Sequence, residues 1–175
     1  MDQQNKIKLK NSGMQKQNIG NAGEYYIASR LSAENFIATI TLGRAERYDI
    51  LAINPSGKTI KISVKTRYLL GAIDFPLSEK DEHDGADDFF YAFVRLNEFK
   101  TEPEFWVIPS KRVNAILEES EKLYRSIPGK KGQVRKGTSL RILPLIASNF
   151  YKCLYPKDWE KELKNYYKNI EQLKK

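Results

Sequence analysis

The sequence predicts a domain of the α/β class built on a mixed α+β sheet, with a helix ahead of antiparallel strands and further strands and flanking helices behind them. Three stretches carry this expectation. Ile19, Ala22, Ile27 and Leu31 recur at the spacing of one helix face. Residues 47–67 read as two strands, the second showing the alternating series Ile60, Ile62, Val64, joined by a turn at Asn54-Pro-Ser-Gly57. Asp87-Asp-Phe-Phe-Tyr-Ala-Phe-Val-Arg95 and Glu104-Phe-Trp-Val-Ile108 are of strand length and apolar enough to be buried.

At 175 residues the chain is expected to form one domain over residues 16–175, large enough to bury about two thirds of its unfolded surface with no disulfide or metal staple. Residues 1–15 are polar and aperiodic, and read as a mobile arm. The single cysteine, Cys153, lies in the aromatic segment Phe150-Tyr-Lys-Cys-Leu-Tyr155, and the single histidine, His83, in an acidic run. No Cys/His metal pattern results, and Cys153 reads as a structural thiol. Neither a signal-peptide core nor a stretch of transmembrane length is found, so a cytoplasmic protein is expected. Lys and Arg number 30 against 22 Asp and Glu, a net charge of +8 that favours an anionic partner such as nucleic acid, although lysines at both termini supply part of the surplus.

Along the chain, the first helix runs from about Gln17 to Leu31 with Asn18 or Asn21 as its N-cap. Gly20 and Gly23, poor helix formers, leave room for another backbone to approach. Phe36 to Thr41 is a β-branched strand closed by Leu42-Gly43. A charged connection, Arg44-Ala-Glu-Arg-Tyr48, leads to the strand Asp49 to Ile53, the turn, and the strand Thr59 to Arg67. Between Tyr68 and Ala86, Gly71, Pro76, Ser78 and the run Glu79-Lys-Asp-Glu-His-Asp84 break any regular pattern, which reads as a long mobile loop. The aromatic strands follow, joined through residues 97–103, and Pro109-Ser110 opens a helix over Val113, Ile116, Leu117 and Leu123 with Ser110 as cap. Residues 125–138, glycine-rich and basic, form a flexible loop. A short apolar run from Leu140 to Ala147 then precedes a terminal helix from about Pro156, whose stripe of Trp159, Leu163, Tyr166, Tyr167, Ile170 and Leu173 is core packing.

Asp49 stands in an otherwise apolar strand, where a charge is costly unless it is paired or binds a metal. Lys65 follows Lys61 and Ser63 on one face of its strand, so that face is not simple core. Asp49 and Lys65 on neighbouring strands form either a salt bridge or part of a site, and Glu24 near the start of the first helix is either a favourable first-turn acid or a third member. Hard carboxylates that hold Mg2+ beside a lysine are what metal-dependent phosphodiester hydrolysis requires.

From about Ile19 to Ile108 the chain resembles the PD-(D/E)xK nuclease-like superfamily, the restriction-endonuclease-like fold. The resemblance rests on the order Gly23-Glu24 on the first helix, Asp49 at the head of a strand, a turn, then Ser63-Val64-Lys65 and Thr66. It implies that Glu24, Asp49 and the Val64 carbonyl are ligands of Mg2+ or Mn2+, and that Lys65 is the catalytic lysine. Ser63 stands where the family has Asp, Glu or sometimes Gln, and a neutral hydroxyl is the weaker ligand; Glu46 is a substitute acid or a solvated turn charge. The expected function is therefore metal-dependent hydrolysis of DNA in repair or defence, with a catalytically inactive protein that binds DNA or a partner protein as the alternative. DNA contacts are expected from Arg44, Arg47 and Arg67 near the site and from Lys130, Lys131, Arg135 and Lys136 in the basic loop, without sequence selection. DNA is the expected partner, a homodimer the candidate assembly, and no membrane is involved.

Overall fold

The computed structural model describes residues 13–41, 48–82, 85–145 and 153–175. Helix α1 spans Gly13–Ala33, and it is followed by strands β1 (Ile37–Ile40), β2 (Ile50–Ile53), β3 (Thr59–Arg67), β4 (Asp74–Ser78), β5 (Phe89–Arg95) and β6 (Glu104–Pro109). Helix α2 (Ser110–Ser126), strand β7 (Leu140–Pro144) and the short helix α3 (Trp159–Leu163) complete the regular elements apart from single 3-10 turns. Five strands form one sheet in the order β1-β2-β3-β5-β6, and β4 pairs with β7 in a second, two-stranded sheet. All neighbours in the large sheet are antiparallel except β3 and β5, which run parallel with Ser63 opposite Tyr91 and Lys65 opposite Phe93.

Alternation along the strands divides the interior into two cores, one on each face of the large sheet. Phe90, Ala92 and Val94 of β5, Phe105 and Val107 of β6, and Ile60, Ile62 and Val64 of β3 pack with Ile27 and Leu31 of α1. Phe89, Tyr91 and Phe93, with Trp106 and Ile108, face the other way and meet Val113, Ile116 and Leu117 of α2, Phe75 and Leu77 of β4, and Trp159. The protein is thus a mixed α+β sheet layered between helices, as its alternating patterns predict.

Four local expectations change. Helix α1 begins earlier than Gln17, so Asn18 and Asn21 lie inside it and neither caps it. The stretch read as a mobile loop contains β4, in which Phe75 and Leu77 point inward while Pro76 is exposed; a proline needs no strand partner for an N–H it lacks. Ser110 is the first residue of α2 and not its cap. Its buried hydroxyl accepts from the Ala86 N–H and donates to the Ala86 carbonyl, both at 3.1 Å, tying the loop down. The terminal helix stops at Leu163. The chain then turns through Lys168, whose φ of 51° is left-handed, and crosses the outer edge of β6. There Tyr167 bridges to Trp106, Lys168 donates its N–H to the Phe105 carbonyl at 2.8 Å, and Ile170 and Leu173 plug the core under α1. Cys153 is exposed. Among the described residues, no helix is long and apolar enough to cross a membrane.

Candidate functional site

The site grows from the place where β2 leaves β3. Ile50 lies opposite Ile62, yet the Asp49 N–H also donates to the Ile62 carbonyl at 2.9 Å, so two residues face one across the ladder as in a β-bulge. Such a bulge re-aims the side chain beside it. The Asp49 carboxylate accepts from the Val64 N–H at 2.5 Å and from the Ser63 hydroxyl at 3.3 Å, taking the hydrogen-bonding row that β2 has vacated. Because N–H and C=O of one strand residue point to the same side, the Val64 carbonyl also leaves β3 on this side.

Glu24 reaches the same place from α1. Gly23 makes this possible, since a Cβ there would stand 2.0 Å from the Thr66 Oγ1 on β3; the close approach is to a side chain and not to a backbone. Gly20 plays no comparable part, since its Cβ would meet only Glu24, at 3.9 Å. Partial burial raises the carboxyl pKa of Glu24, and the negative charge of Asp49 raises it further. Two carboxylates close enough to feel each other's charge in a partly desolvated place are suited to a shared cation. Among the described residues neither forms an ion pair, and no group of three His, Cys, Asp or Glu side chains stands close enough to hold a metal.

Lys65 shares its face of β3 with Ser63. Of the two sequence alternatives, a salt bridge to Asp49 or a place in a shared site, the structure does not form the first: the ammonium lies 3.6 Å from Asp81 Oδ1 and 5.8 Å from the centre of the Tyr91 ring. Asp81 sits in the 3-10 turn Glu79–Glu82 that follows β4, inside the stretch read as a loop. Its Oδ2 accepts from the Ser78 N–H and hydroxyl at 2.7 and 2.8 Å, and its Oδ1 from the Tyr91 hydroxyl at 3.0 Å. Ser78-Glu-Lys-Asp81 has the spacing of a capping box, the one signal in the sequence that could have found it.

The structure joins Asp49 to Ser63 and Val64, brings Glu24 within reach of the Asp49 charge, and puts Lys65 next to Val64 on β3. Arg67 is paired with Asp74 at 3.1 Å. Lys130, Lys131 and Lys136 are exposed in the irregular segment between α2 and β7, where Arg135 lies 4.7 Å above the Tyr124 ring. Arg44, Glu46, Arg47 and His83 lie outside the described residues.

No protein-family model matches the chain, and no curated protein sequence matches it. The mixed sheet and its flanking helices form a nuclease-like fold. A structure similar to it is that of a bacterial homing endonuclease, with a TM-score of 0.51 over 89% of this chain and 88% of that one at 12% sequence identity. At that identity the likeness is one of fold.

Proposed function

We propose that the chain is a divergent PD-(D/E)xK nuclease that hydrolyses DNA phosphodiester bonds with a divalent cation, Mg2+ or Mn2+. The observation that carries this reading is the Asp49 carboxylate held by the Val64 N–H and the Ser63 hydroxyl, with Lys65 on the same face of β3 as Ser63 and Glu24 near enough to feel the Asp49 charge, on a nuclease-like fold. Two carboxylates and the Val64 carbonyl fit Mg2+, which keeps several waters and takes few protein ligands. Bound there, the cation would polarise the phosphate and acidify a water. Lys65 directs its ammonium to the attacking water or to the developing phosphate charge. The exposed lysines of the basic segment hold the backbone of the duplex without reading its bases.

Purified protein is expected to cleave at least one of linear, nicked, branched or single-stranded DNA with Mg2+ or Mn2+. Asp49→Ala and Lys65→Ala each lower the rate by about a hundredfold or more. A wild type inert on all four substrates with either metal would remove this reading. Ser63 favours a second one, a catalytically silent protein of the same fold that binds DNA or a partner protein, because a neutral hydroxyl replaces a carboxylate at the cation. Calorimetric titration of Mn2+ separates the two: the nuclease binds it, with weaker affinity in Glu24→Gln, whereas the silent form binds DNA without it.

A further inference from the structure

Three cations and a serine alternate on one face of β3, and each cation meets an acid from a different segment: Lys61 with Asp88, Lys65 with Asp81, Arg67 with Asp74. The three acids are not equivalent. The Asp88 and Asp74 side chains are 43% and 34% exposed, and pairs of that kind carry little energy or geometric constraint. Asp81 is 14% exposed, and three donors from Ser78 and the buried Tyr91 fix its carboxylate. A carboxylate pinned in this way holds its own position and sets that of whatever cation it attracts.

We propose that Asp81 is a positioning residue that holds the Lys65 ammonium over the Tyr91 ring, on the face of β3 where Ser63 meets the Asp49 carboxylate. The proposal rests on the nuclease reading of the site for its consequence, although not for its geometry. An ammonium has three protons, and a carboxylate at 3.6 Å engages at most part of that capacity, so Lys65 is aligned without being used up. Burial opposes the charge on Asp81, but Lys65 and the hydrogen bonds from Ser78 and Tyr91 outweigh it and lower the carboxyl pKa, so the anchor stays ionised. The parallel pairing of β3 and β5 sets Tyr91 opposite Ser63, two residues from Lys65, so sheet register carries the anchor to the site.

The test combines lysine-selective 13C labelling with DNA-cleavage kinetics in wild type, Asp81→Asn, Asp81→Glu and Tyr91→Phe, each checked for an intact thermal transition. Two distinct Hε signals are expected for Lys65 in wild type, merging into one in Asp81→Asn as the side chain becomes free. The kcat of Asp81→Asn falls about tenfold to a hundredfold with KM for DNA unchanged, as expected for a misplaced group. Asp81→Glu recovers part of the loss, and Tyr91→Phe, which keeps the ring and removes one donor, loses less in the same direction. Unaltered Lys65 signals in Asp81→Asn overturn the proposal. So does a kcat that is unchanged or raised, the latter marking Asp81 as a restraint on Lys65. A wild type that cuts nothing while its Asp81→Asn signals merge supports the positioning of Lys65 and counts against the nuclease reading alone.

Discussion

Glu24 carries a cost that a bound cation would remove. Its folded pKa is raised, by burial and then by Asp49, so the folded state binds its proton more tightly than the unfolded chain does. The stability linked to that proton is present below the ordinary carboxylate value and is lost as pH rises through the raised folded value. Glu24→Gln is uncharged throughout, and it is expected to melt at a higher temperature than wild type at pH 7 without divalent cation. The two curves converge as pH falls below the ordinary carboxylate range. A less stable Glu24→Gln at pH 7 would mean that this carboxylate is satisfied by something else. Asp49 was legible as a candidate because a charge among Ile50, Leu51 and Ile53 is out of place. Ser63 and Val64 were legible beside it through the motif, but the way they meet it was not, since the bulge opposite Ile62 that turns Asp49 toward Val64 depends on where a ladder ends and not on which residues compose it. Asp81 was harder still. Its role arises from Ser78 and Tyr91, three and ten positions away, brought together only once β4 and β5 are in place.

At the scale of elements, the seating of α1 on β3 governs whether Glu24 and Asp49 share a site. Gly23→Ala would press a methyl into the Thr66 side chain, whose hydroxyl is already buried with no hydrogen-bond partner among the described residues. The expected cost is about 1–3 kcal/mol from overpacking, read by chemical denaturation. Where relief comes from α1 moving away and not from Thr66 turning aside, Mn2+ affinity falls with it even though the fold persists. Full stability together with wild-type Mn2+ affinity would show that the helix is not held at this distance. Strands β2, β3, β5 and β6 were readable because period-two alternation or a strongly apolar aromatic run is hard to mistake. Strand β4 was hidden by Pro76 and the acidic run after it, although Phe75 and Leu77 do alternate. The terminal stripe fits a helix as far as Leu163. Beyond it the same apolar residues serve better by crossing β6, because packing outweighs local periodicity.

Across the whole molecule, the positive excess of +8 concentrates its testable effect in the exposed Lys130, Lys131 and Lys136. Replacing all three by alanine is expected to weaken DNA binding evenly across sequences. It should also flatten the plot of log affinity against log salt by about 0.9 for each phosphate that is no longer neutralised, as measured by fluorescence anisotropy at several salt concentrations. An unchanged slope would place the duplex elsewhere on the protein. The path of the chain past β6 also bears on synthesis. The core under α1 contains Ile27 and Leu31 from early in the chain and Ile170 and Leu173 from far along it, and among the described residues the β6 edge is covered by those beyond Tyr166. A nascent chain emerging from the ribosome therefore carries an uncapped sheet edge and an unplugged helix seat until residue 173 is out. In that interval it is most exposed to chaperones and to pairing with a neighbouring chain.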